Sequence, residues 1–375
     1  TSPITDSNYS IELYDGVALG NTAVVGMGGA TVALAIGTAG TLFNPSPPAV
    51  KPTTDTDTWS WDYHLDYLNG SLSTDYDNNG FTSEESGTSV FTGGLGLRIG
   101  EWAGAITATQ QYAPVADSAV MVGTNMVPLQ ASVLRLQIAL ARWVSRLDTA
   151  IGISAQSAIF ELKPDCAGAG CEALFDVNGG GLELGATWAP RRQSLRIGAA
   201  LATPIAGGNV SGCDPMDCNG FILPEKIVTP WRLAAGGAYR FSASDWNQLV
   251  GGYFRDERSV TVAADVIVTG SSDNAFGLER FGQHELQRSG RHASFGVRGG
   301  VEYEWLPGRL RLRSGSYWEP GRFVGVGGRL HVTFGIEVRV FQFWFWGTYR
   351  RGRISLTADA AERYRNGGLS VGFWH

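Results

Sequence analysis

The stretch "DTWSWDYHLDYL", Asp57–Leu68, alternates strictly. Trp59, Trp61, Tyr63, Leu65 and Tyr67 fall on one face, and Ser60, Asp62, His64 and Asp66 on the other. A period of two is the mark of a strand with one apolar and one polar face. The pattern recurs down the chain. "SVLRLQIALARW" (Ser132–Trp143) sets Leu134, Leu136, Ile138 and Leu140 against Arg135 and Gln137. "TPWRLAAGGAYRF" (Thr229–Phe241) sets Trp231, Leu233 and Tyr239 against Arg232 and Arg240, and "SVTVAADVIV" (Ser259–Val268) sets four valines against Asp265.

About fourteen such runs follow one another, from Asp57 to the last, "LSVGFWH". Most are long enough for a tilted strand to cross a bilayer. Long polar connections at 70–87, 113–130, 162–178, 205–227 and 270–290 alternate with short ones at 99–100, 146–147, 189–193 and 306–307. Outer-membrane barrels have this asymmetry, with short periplasmic turns and longer external loops. The reading is an all-β chain: a transmembrane antiparallel β-barrel of about 14 strands in a bacterial outer membrane, with both termini periplasmic. Two places resist the count. The segment 242–257 is long for a periplasmic turn, and "VFQFWFWGTY" (340–349) is apolar on both faces.

Composition agrees. The 375 residues include 51 Gly and 41 aromatic side chains (17 Phe, 12 Trp, 12 Tyr), yet only 17% are charged, against about 25% in ordinary soluble domains. A net charge of −6 gives no basic footprint for nucleic acid. A propeller would repeat groups of four strands at a fixed period, and no such period is found. The five histidines have no metal spacing, and there is no G-x-S-x-G nucleophile, so neither an enzyme nor a cofactor is expected. His64 between Asp62 and Asp66 suggests a proton relay or metal site, or a solvated lumen face.

The cysteines fall in two local pairs, "CAGAGC" and "CDPMDC", both in long loops. They read as disulfides Cys166–Cys171 and Cys213–Cys218 in an oxidising compartment. Four thiolates on zinc are the rival reading. The opening "TSPITDSNYS" lacks a basic region before an apolar core, so an exported protein would carry no signal peptide here.

Residues 1–56 do not alternate. Ala23–Phe43 is uncharged and long enough for a membrane helix, but holds five glycines between Gly26 and Gly40, each weakening a lone helix by up to ~1 kcal/mol. A barrel this wide has an interior that its own side chains do not fill. The segment therefore reads as a plug, with domains divided at 1–56 and 57–375.

"GMGGATVALAIGTAGTLFNPSPPAV" (Gly26–Val50) resembles the N-terminal hatch of FadL-type outer-membrane transporters of long-chain fatty acids and hydrocarbons. Gly26, Gly28, Ala30 and Ala33 match its G-x-G-x-A run and small-residue stretch. Phe43, Asn44 and Pro45 match its aromatic-Asn-Pro end, where Ser46 replaces the usual alanine. "PWRLAAGGAYRF", "LRLRSGSYWEPG" and the last strand extend the resemblance weakly. It implies fourteen strands around a hatch, with a ligand pocket at Phe43, Asn44 and Pro45. It also implies lateral release into the membrane beside a kinked third strand, "EWAGAITATQQ", where Gly104 is the expected bulge.

Parity turns Arg298, Glu302 and Glu304 inward, then Arg309, Arg311 and Arg313, then Arg329, His331, Glu337 and Arg339. This ladder is either a wall-stiffening network or a relay for an anionic head group, with Arg311 and Arg313 foremost. Three functions follow: uptake of hydrophobic, fatty-acid-like molecules; a non-transporting barrel that anchors a surface or secretion complex through its external loops; and an aqueous porin. The expected partners are outer-membrane lipids or detergent, a hydrophobic ligand, and in the second case a protein.

Overall fold

The computed structural model describes residues 1–34, 37–51, 57–70, 74–82, 87–168, 170–211, 214–218, 220–250, 254–345 and 348–374. Fourteen antiparallel strands form a ring: β1 (Trp59–Gly70), β2 (Ser89–Ile99), β3 (Trp102–Val122), β4 (Asn125–Val144), β5 (Thr149–Pro164), β6 (Phe175–Trp188), β7 (Leu195–Ala202), β8 (Arg232–Phe241), β9 (Ser259–Thr269), β10 (Ser294–Leu306), β11 (Leu310–Glu319), β12 (Arg329–Phe345), β13 (Thr348–Ala361) and β14 (Tyr364–Phe373). Each pairs with its neighbours in sequence, and β14 returns to β1 through Asn366↔Gly70 to Gly372↔His64. Closure leaves no sheet edge in the membrane, where an unpaired backbone group costs several kcal/mol.

The alternation sorts the faces. Leu65, Leu95, Ile106, Leu136, Ile138, Leu140, Leu233, Val262 and Val297 are exposed on the outside. Arg232, Asp265, Gln137 and His64 are buried within. An apolar belt on a ring with a polar interior is the arrangement lipid requires.

The short connections expected at 99–100, 146–147, 189–193 and 306–307 fall within about two residues of the observed turns, but two of the long ones do not agree. β3 and β4 run on through 113–130 to a tight turn, and Val115, Leu129 and Ala131 face an apolar core. Residues 205–227 likewise contain a strand, Ile205–Ser211, laid along β6. The residues read as loop at 113–130 are the continuation of strands, with Ser118 buried and Met121 and Met126 exposed. The doubtful run 340–349 is the projecting end of the β12–β13 hairpin, with a register shift between Arg339 and Phe341.

Residues 9–50 touch inward-facing groups around much of the ring. Thr22 N donates to Asp66 on β1 (3.1 Å), Thr31 N and Val32 N to Asp265 on β9 (2.7 and 2.9 Å), and Gln137 on β4 donates to Thr41 O (2.8 Å). Strand Ser10–Glu12 lies parallel to both Lys226–Val228 and Ala275–Phe276 at the long-loop end. Ser2–Pro3 pairs with Glu285–Leu286 in the 270–293 connection. The two chain ends therefore lie at opposite ends of the barrel, and the expectation of both at the short-turn end is corrected. The cause is strand pairing: among the described residues, the edges to which the N-terminal segment bonds lie in the long loops.

Candidate functional site

The elbow Phe43-Asn44-Pro45 sits deep in the lumen. Asn44 is fully buried and uses both ends of its amide. Nδ2 donates to Val32 O (2.9 Å), Thr187 Oγ1 (3.1 Å) and Ala186 O (3.3 Å), and Oδ1 accepts from Ser46 N (3.0 Å) and Ser46 Oγ (2.8 Å). One side chain thus ties the turn to itself, to the segment before it and to β6. Pro45 O backs onto Gly152 of β5. The elbow meets β5 and β6, where Gly152 and Gly185 leave room for its backbone and side chain.

Phe43 is 3% exposed. Its ring lies between the guanidiniums of Arg232 (5.3 Å) and Arg298 (5.5 Å), a contact that favours an aromatic over an aliphatic residue. Arg232 is fixed by Asp15 (3.0 Å), Glu183 (3.2 Å) and Leu42 O (3.0 Å). Asp15 and Glu183 were not singled out in the sequence. Glu183 carried a signal, since it stands between Leu182 and Leu184 in an alternating run. Asp15 carried none.

Two small cavities adjoin Phe43 and Arg298 on the long-loop side. One of about 100 Å³ lies between Tyr14, Val17, Arg298 and Trp318. The other, about 50 Å³, is lined by Phe43, by inward-facing Gln137 and Gln156, and by Leu136, Ser157 and Thr203, which parity turns outward. Beside it β6 carries the run Gly179-Gly180-Gly181. There its regular pairing with β7 ends at Glu183↔Ala202 and shifts register onto Ile205–Ser211. Gly104, by contrast, stands in unbroken ladders opposite Leu97 and Leu140. The bulge expected there is absent; the irregularity of β3 falls between Val115 and Ala119, where the strand leaves the belt.

The charge ladder divides into two clusters. Glu337 is shared by Arg313 (2.9 Å), Arg311 (3.4 Å) and Arg353 (3.5 Å), while Glu302 pairs with Arg313 (2.7 Å) and Glu304 with Arg311 (3.1 Å). Nearer the long loops, His331 bridges Asp359 (2.9 Å) and Glu319 (3.0 Å), and Arg329 joins Glu319 to the carbonyls of Asp75 and Tyr76. The networking reading of the ladder is the one these distances fit. Arg309 departs from the expectation. It is exposed in the β10–β11 turn, where Arg309 N bonds Leu306 O, so parity does not reach it. Arg298 stacks on Phe43 and donates to Gly29 O (3.5 Å).

The Asp62–His64–Asp66 trio clamps residues 22–38. Asp62 accepts from Thr38 N (2.8 Å) and Oγ1 (2.9 Å), His64 Nδ1 meets Thr38 Oγ1 (2.9 Å), and Asp66 accepts from Thr22 N. No metal-holding group of three such side chains occurs among the described residues. Cys166 and Cys171 form a disulfide, which removes them from any zinc site. Cys218 is also disulfide-bonded; Cys213, and with it the Cys213–Cys218 pairing, lies outside the described residues.

No family model and no curated protein matches the chain. Solved structures do match. The toluene transporter TodX of P. putida is 13% identical over 96% of this chain and 99% of that one, with a TM-score of 0.57. The monoaromatic hydrocarbon channel CymD is 13% identical over 96% and 97%, at 0.55. A FadL homologue of Pseudomonas aeruginosa is 14% identical over 94% and 97%, at 0.50. The chain has the FadL-type outer-membrane fold.

Proposed function

We propose that this barrel takes up small hydrophobic molecules across a bacterial outer membrane, with residues 1–56 as its hatch. The long loops face outward and the short turns face the periplasm. An apolar solute enters at the long-loop end, reaches the cavities beside Phe43 and Arg298, and leaves sideways through the wall into the membrane. The neighbours in fold include proteins described as toluene and monoaromatic hydrocarbon carriers, which makes such solutes the first to try. Cavities of about 50 and 100 Å³ also suit a compact solute better than a stretched long chain.

One observation carries the lateral route: the cavity at Phe43 has lining residues from both faces of the wall. The run Gly179–Gly181 and the change of β6's partner from β7 to Ile205–Ser211 lie beside it. The exit is therefore assigned to β6–β7 in place of the third strand.

The test is uptake of labelled toluene by cells that express the protein and lack other routes. Gly180→Val adds bulk on the outer face, where a Cβ meets nothing nearer than Gln156 O at 3.6 Å. It should slow uptake while leaving a folded barrel. Uptake no faster than in cells without the protein sinks the transport reading. Normal uptake by Gly180→Val sinks the β6–β7 exit alone.

A further inference from the structure

Arg298 escapes the pairing that occupies its neighbours. Among the described residues it meets no carboxylate within bonding distance, and its hydrogen bond is the long one from Nη1 to Gly29 O (3.5 Å). Nε and Nη2 make none, and neither is closed off from solvent. The side chain is 8% exposed, and it lines the cavity of about 100 Å³ on the long-loop side of the hatch. Unused donors on a charged group therefore border the space that the proposed route reaches.

The charge of Arg298 is answered without contact. Asp15, Asp265 and Arg232 are among its electrostatic neighbours. Arg232 is shared by Asp15 and Glu183, while Asp265 accepts from the N–H groups of Thr31 and Val32. Arg135 is a further neighbour of Asp15, so three arginines face three carboxylates. In the cavity's own lining, Glu12 is bonded by Arg322, and Glu319 by Arg329 and His331. Asp77 adds another carboxyl. No positive surplus waits for an anion, and like charges brought together repel. A neutral acceptor can take the N–H groups of Arg298 without that penalty.

The other walls are apolar. Tyr14, Val17, Ile267, Tyr317 and Phe323 line the cavity. The Tyr317 hydroxyl is occupied by Asp359 (2.7 Å), and its ring stacks on His331 (4.1 Å). With the adjoining cavity of about 50 Å³, which shares Asp15, the space approaches that of a cavity that admits benzene. On the far side of the hatch the lumen is filled by part of the 242–258 connection. Trp246 packs there on Met27, Ala30 and Leu34, with Arg196 (3.8 Å) and Arg240 (4.7 Å) on its ring. Asn247 bonds Pro190 O (3.1 Å) and Leu195 O (2.9 Å). The unexpected length of that connection thus supports the hatch from below.

The geometry points to a neutral, compact carbonyl compound, an aldehyde or ketone on a small apolar ring, as the solute held here, with Arg298 as the residue that selects it. The carbonyl oxygen accepts from Nε and Nη2, two N–H groups on one edge of the guanidinium, and the ring lies among Tyr14, Val17 and Tyr317. A bare hydrocarbon fits the walls and leaves the donors unpaired, which a site built to hydrogen-bond penalises. A carboxylate satisfies the donors and brings a charge the surroundings do not want. The assignment rests on the uptake reading in taking this cavity as a stop on the route.

The test is isothermal titration of benzaldehyde and of toluene, which are nearly equal in shape, into the full-length protein in detergent, with benzoate as the charged comparison. Benzaldehyde should bind saturably and more tightly than toluene. Arg298→Met keeps an unbranched side chain beside Phe43 and removes the donors. It should lower the benzaldehyde-to-toluene affinity ratio about tenfold, the effect of one hydrogen bond to a charged group, with toluene affinity nearly unchanged. Arg298→Lys keeps a charged donor and should fall between; if Arg298→Met does not fold, this variant and the wild type decide. No saturable benzaldehyde binding, toluene bound as tightly as benzaldehyde, a ratio unmoved in the variants, or benzoate bound more tightly than benzaldehyde would overturn the assignment. Background toluene uptake with the ratio as expected sinks the transport reading alone, and normal uptake with an unmoved ratio sinks this selection alone.

Discussion

The side-chain oxygen of Asn44 occupies the space that a methyl group on Gly185 would need: a Cβ there would stand 2.1 Å from Oδ1. The wall residue is small because the elbow residue is close. The elbow in turn is fixed by five hydrogen bonds from one amide. A similar approach occurs across the lumen, where a Cβ on Gly300 would stand 2.3 Å from Met27 O. These contacts make the hatch part of the wall's packing, so its seat can be probed from the wall side.

Gly185→Ala should therefore unseat the elbow without unmaking the barrel. The added carbon has backbone on its own side and a five-bonded amide on the other, so overpacking of about 1–3 kcal/mol is expected. Asn44→Ala should cost a similar amount by leaving Val32 O and Ser46 without their partner. Planar-bilayer recording should show raised or noisier conductance in both, with wild-type heat-modifiable mobility on gels. Quiet, wild-type traces from Gly185→Ala would mean that the elbow yields without consequence.

The Glu337 cluster should be the most sensitive part of the wall. Replacing Glu337 by Gln keeps the shape but leaves Arg311, Arg313 and Arg353 facing one another across a buried site. Breaking a buried pair in this way costs about 3–5 kcal/mol. Denaturation in urea should show a lowered midpoint for Glu337→Gln and a much smaller change for Arg309→Gln, whose side chain is exposed. Equal effects would place the two arginine environments on a par, against the geometry.

Acid should tighten the long loops. Burial and the neighbouring Glu279 hold the Asp77 carboxyl well above its usual range, and burial likewise raises Glu279 from 4.5 to about 7. Both groups keep their protons longer in the folded loops than in an unfolded chain. Their contribution is therefore fully present below the ordinary carboxyl range and is lost as pH rises through about 7. Hydrogen exchange at 74–82 and 278–287 should be better protected at pH 5 than at pH 8, after correction for intrinsic rates. Greater protection at pH 8 would reverse the sign.

Much of this was legible because a barrel wall obeys one rule. Alternation places Arg232, Asp265 and Gln137 inside and Leu136, Leu233 and Val262 outside, and it locates the short turns. It fails where the rule stops. Val115 and Leu129 lie in strands above the membrane, where both faces can be mixed, so 113–130 reads as loop. Arg309 lies in a turn, which has no parity. Gly104 shows that a glycine in a strand need not bend it, since its ladder stays regular on both sides. The site suffered most. Asp15, Trp246 and Asn247 come from irregular segments, where no period says which way a side chain points.

The last prediction concerns the hatch as a whole. Residues 1–42 supply Asp15 to Arg232, Leu34 O to Arg196, the N–H groups of Thr31 and Val32 to Asp265, and Thr38 to Asp62 and His64. Deleting them leaves these inward groups without partners, but they then face water, not a dry interior. The penalty of an unsatisfied buried group is thereby avoided. The ring itself is held by strand pairing that residues 1–42 do not enter, since every pairing from β1 round to β14 and back is between wall strands. The deletion should therefore assemble as a heat-modifiable barrel of reduced stability. Its conductance to small ions should rise well above wild type and lose dependence on Gly185. A barrel that assembles but conducts no more than wild type would show that residues 1–42 do not close the lumen, and the hatch reading would fall.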